Sequence, residues 1–110
     1  MNLDIIKKEL EHGFELQLIG ELDAYTAPDL KKNLLPLLDG SITCVTLDLG
    51  QTSYMDSTGI GVMIAAYKAS KQSQTNFVIQ NLTPRVKRLF DITGLSEIVK
   101  IDAQEEEEKA

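Results

Sequence analysis

The sequence predicts a single α/β domain, and three observations carry that expectation. Short apolar runs of strand character recur along the chain, and amphipathic stretches of helical spacing lie between them. No linker, internal repeat or break in composition divides the 110 residues. Strands that alternate with helices form a sheet joined by right-handed crossovers. A chain of this length closes one core and not two.

In order, "NLDIIKK" alternates loosely, and "FELQLIG" alternates cleanly, with Phe14, Leu16 and Leu18 on one side and Glu15 and Gln17 on the other. These are two strands, and Glu11 to Gly13 is the turn that joins them as a hairpin. "TAPDLKKNLLPLLD" spaces Leu30, Leu34, Leu37 and Leu38 as a helix, with Thr26 as its cap and Pro28 in the first turn. Pro36 should bend or end it. "ITCVTLDLG", Ile42 to Gly50, is β-branched and apolar on both faces, as in a central strand, with Cys44 expected as a small buried hydrophobe. A helix is expected from about Ser57, with Ile60, Ile64 and Tyr67 on one stripe and Gly61, Ala65 and Ala66 leaving room for close packing. "NFVIQNL" is a strand. "LTPRVKRLFDITG" is a helix capped by Thr83, opened by Pro84, packed through Val86, Leu89 and Phe90, and stopped by Gly94. "EIVKI" closes the set as a short strand.

Composition removes several classes of function. No apolar run approaches the ~18 residues of a membrane span, and "MNLDIIKKEL" lacks the layout of a signal peptide. One cysteine excludes an internal disulfide and suits a reducing compartment, so the cytoplasm is the expected location. A net charge of −6 argues against binding to nucleic acid backbones. The segment 102–110 holds five acids and one lysine, a contribution of −4 that leaves −2 for the domain at 1–101. Adjacent like charges repel, so this acidic tail is expected to be flexible and solvated.

The stretch with chemical interest is "YMDSTGIGVMIAAYK", where an acid, two hydroxyls and a glycine precede an apolar run. The lone His12 falls in the hairpin turn, no Gly-x-Ser-x-Gly elbow exists, and one cysteine with one histidine make no metal cluster. The phosphate-cradling loop Gly-x-x-x-x-Gly-Lys-Ser/Thr is also missing. Nothing supplies a base for Ser57, so catalysis is not expected. Ser57 then has two readings: a helix cap, or a hydroxyl that another enzyme modifies. A receiver-like domain phosphorylated on Asp48, near the end of the central strand, is the alternative.

Three linked stretches, "GELDAYTAPDLKKNLLPLL", "SYMDSTGIGVMIAAYK" and "VKRLFDITGL", resemble the STAS domain family, and within it the anti-anti-sigma factors of the general-stress RsbV type. The likeness runs from about Leu16 to Ile101. It implies a mixed sheet of four or five strands flanked by three or four helices. It also implies a partner switch: the unmodified domain binds an anti-sigma factor that is a GHKL-type serine kinase, and so releases a sigma factor. The kinase phosphorylates the serine after the motif's aspartate, here Ser57, and the modified form lets go until a PP2C-type phosphatase restores it. No cofactor is implied for this chain. By the same resemblance Asp56 presents the loop, unless it only serves the helix start, and Asp23 meets the partner, unless it only forms a turn. Met55, Thr58, Gly59, Ile60, Gly61 and Met63 complete the implied contact set. Gly59 and Gly61 are there for close backbone approach.

Overall fold

The computed structural model describes residues 2–102, so the expected acidic tail lies outside the described residues beyond Asp102. Five strands form one sheet in the order β1-β2-β3-β4-β5. β1 (Leu3–Leu10) and β2 (Gly13–Leu22) are the antiparallel hairpin, turning at Glu11 and His12. β2 pairs β3 (Cys44–Met55), β3 pairs β4 (Asn76–Gln80) and β4 pairs β5 (Lys100–Asp102), all in parallel. Three helices make the crossovers: α1 (Ala27–Leu34), α2 (Ser57–Ser73) and α3 (Pro84–Thr93). This is the α/β class expected, with the mixed sheet that the family resemblance implied.

The sheet buries one face. Leu16 and Leu18 of β2, Val45, Leu47 and Leu49 of β3, and Phe77 and Ile79 of β4 join one core with Leu30 and Leu34 of α1, Met63 and Ala66 of α2, and Val86 and Phe90 of α3. Cys44, Thr46 and Asp48 alternate with the buried residues of β3 and are half-buried on the other face. The expectation of a strand apolar on both faces is therefore corrected, and Cys44 is no core hydrophobe. One-sided burial leaves the second face to polar residues.

The register explains the longest departure from the expected boundaries. β3 continues past Gly50 to Met55 because β2 continues to Leu22, and the two stay paired as far as Leu22 and Met55 through two register shifts. β4 stops earlier, at Gln80 opposite Asp48, and Asn81 leaves the strand with φ +61°. Beyond that point no strand among the described residues lies beside β3 on the β4 side, and α3 packs against β3. Pro36 does end α1, and Leu35–Leu38 wind on as a 3-10 turn. α3 keeps its expected ends: Thr83 Oγ1 accepts from Val86 N at 3.3 Å, and Gly94 adopts φ +80°.

Candidate functional site

Because β2 and β3 end side by side, they deliver two aspartates to one edge of the sheet. Asp23 follows Leu22, Asp56 follows Met55, and Asp56 N donates to Leu22 O at 3.3 Å. Asp56 is the N-cap of α2. Its Oδ1 accepts from Thr58 N at 2.9 Å and from Gly59 N at 3.3 Å, and its carbonyl accepts Ile60 N at 3.1 Å. The cap reading of Ser57 is thereby corrected, since the capping oxygen belongs to the preceding residue. Ser57 occupies the first helical position, is exposed, and its Oγ makes no hydrogen bond among the described residues. Thr58 is exposed as well.

Gly59 is where the close approach occurs. A Cβ at that position would stand 2.6 Å from Met55 Cγ and 3.0 Å from Leu22 Cγ, so α2 could not sit this low on the sheet with a larger residue. A Cβ at Gly61 would meet no atom within 4 Å among the described residues beyond the adjoining backbone, and the residue faces solvent, contrary to the close approach expected of it. Met55 and Ile60 are almost buried at the rim of the site. Met63 is 0% exposed and packs in the core, so its expected contact with a partner is corrected. Of the expected inner stripe Ile60 is buried but Ile64 faces out, and the buried positions of α2 are Gly59, Ile60, Val62, Met63, Ala66 and Ser70.

Asp23 is only 8% exposed. Its Oδ1 accepts from Tyr25 N at 2.9 Å and Thr26 N at 3.1 Å. Thr26 does not cap α1 with its side chain. Its hydroxyl donates to Glu21 O at 2.8 Å and accepts from Asp23 N at 2.9 Å, closing the loop on itself. Burial works to raise the Asp23 carboxyl, while the Thr26 and Tyr25 amides and the Thr26 hydroxyl favour the charged form and hold it below the ordinary carboxylate range.

A cleft of about 380 Å³ lies between the two aspartates, lined also by Glu21, Tyr25 and Tyr54. Tyr54 is shared with a second cleft of about 200 Å³, walled by Met55, Arg85, Arg88, Leu89 and Ile92. None of these α3 residues was singled out for function from the sequence. Their spacing of i, i+3, i+4 and i+7 is the signal that could have found them.

Asp48 is a poor phosphate acceptor in this fold. It lies within β3, well before the strand's end. Its Oδ1 accepts from Gly50 N at 2.8 Å and its Oδ2 from Asn81 Nδ2 at 3.2 Å. The strand order also has no reversal, so the sheet lacks the crevice in which doubly wound proteins bind ligands. Among the described residues no group of three His, Cys, Asp or Glu side chains could hold a metal ion. No helix among them is long and apolar enough to cross a membrane.

The STAS domain family matches residues 4–108. An anti-sigma-B factor antagonist of Bacillus subtilis is 39% identical over 106 residues, covering 96% of each chain. One of Listeria monocytogenes is 40% identical over 101 residues, covering 92% of this chain and 88% of that protein. The crystal structure of an anti-sigma factor antagonist from Mycobacterium paratuberculosis superposes with a TM-score of 0.84 at 19% identity, over 96% of this chain and 90% of the other, which bears on the fold alone. Two aspartate turns at the ends of paired strands, and relatives alike over nearly the whole length, lead to one assignment: the chain belongs to the STAS domain family.

Proposed function

We propose that this chain is an anti-sigma factor antagonist switched by phosphorylation of Ser57. In its unmodified form it binds an anti-sigma factor in the cytoplasm and thereby releases a sigma factor. That anti-sigma factor is a GHKL-type kinase which phosphorylates Ser57 and then dissociates, and a PP2C-type phosphatase reverses the step. The chain is substrate and ligand in this cycle, not catalyst, and ATP belongs to the kinase. The names of the relatives support the antagonist role. The observation that carries the phosphorylation reading is the Ser57 hydroxyl, exposed at the start of α2 while Asp56 does the capping.

The local geometry gives the modification its effect. Asp56 and the first helical turn already use the Thr58, Gly59 and Ile60 amides. Only the Ser57 amide remains without a partner in that turn among the described residues. A phosphoryl group on Ser57 therefore finds no cradle of N–H donors and projects into solvent beside the Asp56 carboxylate. It adds about −1.5 to −2 charges. Docking would strip water from that anion, at a cost of several kcal/mol. Shifting a population from bound to free takes about 5.5 kcal/mol of differential affinity. The phosphate supplies the larger part of this with no rearrangement of the domain beneath.

Exchange of Ser57 for alanine tests the reading. Ser57→Ala is expected to bind the anti-sigma factor of the source organism as tightly as the wild type and to take up no phosphate from it and ATP. A Ser57→Ala chain that still takes up phosphate, at Thr58 or elsewhere, contradicts the assignment.

A further inference from the structure

The outward side of α3 carries a second surface. Arg85, Arg88 and Ile92 run along one exposed stripe of the helix, away from the buried Val86 and Phe90, and the half-buried Leu89 lies between that stripe and the core. Ile92 is 75% exposed. Arg85 and Arg88 are both arginines of the chain, and neither forms an ion pair among the described residues. The Arg85 guanidinium lies 5.8 Å from the centre of the Tyr54 ring, which holds it toward the end of β3. An isoleucine left in water beside two unpaired arginines adds little to a monomer's stability. Arginine and exposed apolar side chains around a cleft are instead what protein interfaces concentrate. The surface is continuous with the Ser57 site: Met55 walls the α3 cleft two residues before Ser57, and Tyr54 lines the clefts on both sides.

We propose that the anti-sigma factor docks across both surfaces at once, and that its patch opposite α3 is carboxylate-rich around an apolar side chain seated on Ile92. This rests on the reading that the chain binds an anti-sigma factor. The sign of the α3 stripe argues for the occupant. The chain as a whole carries −6, so a second copy is repelled at long range, whereas a distinct acidic–apolar patch complements the two arginines. The stripe then provides affinity that phosphate on Ser57 does not touch, and it selects the cognate partner.

The test uses Ile92→Asp and the double variant Arg85→Glu/Arg88→Glu, titrated against the purified anti-sigma factor of the source organism, with Ser57→Asp alongside. Each α3 variant is expected to weaken binding by about tenfold or more. Added salt should weaken the wild-type complex and spare that of the double variant. Melting temperatures should stay at the wild-type value, because the altered side chains face solvent. Wild-type affinity in both α3 variants, with binding lost in Ser57→Asp, overturns the inference and leaves the antagonist reading standing. Variants that change only self-association in sedimentation also overturn it, since the occupant is then a second copy. A wild-type chain that does not bind the anti-sigma factor removes the reading and the inference together.

Discussion

The turns at Asp23 and Asp56 begin alike and end differently. Both follow the last residues of paired parallel strands, and in both a single carboxylate oxygen accepts the amides two and three residues on. After Asp23 the neighbouring hydroxyl, Thr26, turns inward and is used twice by the backbone. After Asp56 the neighbouring hydroxyls, Ser57 and Thr58, turn outward, and Ser57 Oγ is left unused among the described residues. The same local motif is scaffold in one place and a presented group in the other. What separates them is where the hydroxyl falls: third after the acid in the first turn, directly after it in the second.

Substitutions should pull the two turns apart. The largest effect is expected from Ser57→Asp, which should weaken binding to the anti-sigma factor by about a hundredfold or more while leaving stability within about 0.5 kcal/mol. Titration calorimetry and thermal melting check the two halves of that statement; a large loss of stability would make Ser57 structural after all. Next is Thr26→Val, expected to lose about 2 kcal/mol because the largely buried Thr26 hydroxyl no longer accepts from Asp23 N or donates to Glu21 O. Asp56→Ala should cost about 1 kcal/mol, the ordinary value of an N-cap. Chemical denaturation ranks these two, and an inert Thr26→Val would erase the contrast between the turns.

The smallest effect concerns pH. The Asp23 carboxyl is held below its unfolded value, so its contribution to stability is present above the ordinary carboxylate range and fades as pH falls through the lower folded value. Asp39 and Asp91 are held low as well, by hydrogen bonds from Ser41 and, for Asp91, from Ser96 and Lys87, and they titrate in the same acid limb. Asp23→Asn should therefore flatten that limb without removing it. An acid limb identical to the wild type would mean that the Asp23 hydrogen bonds do not favour its charged form.

Much of this was legible in the residues, wherever local chemistry decides the outcome. Thr83, Pro84 and Gly94 mark the ends of α3 because a cap, a preset φ and a left-handed stop act within a few residues. The inner face of α2 was not legible. From Gly59 to Ala66 every residue is apolar or small, so periodicity carries no phase, and the contact of Gly59 with Leu22 and Met55 sets it instead. That contact joins strands distant in sequence. The same holds for Cys44, whose face depends on which side of the sheet the helices cover. At the site, the serine was visible and its freedom was not, since the cap falls to Asp56 only once β3 is known to run to Met55.

The central claim, a free hydroxyl at position 57 awaiting a phosphoryl group, is tested most directly by treating the chain with the anti-sigma factor and ATP and mapping the phosphopeptides. One acid-stable phosphate on Ser57 is the expected result. Phosphate on Thr58, a hydroxylamine-labile phosphate on Asp48, or an unmodified chain would contradict it.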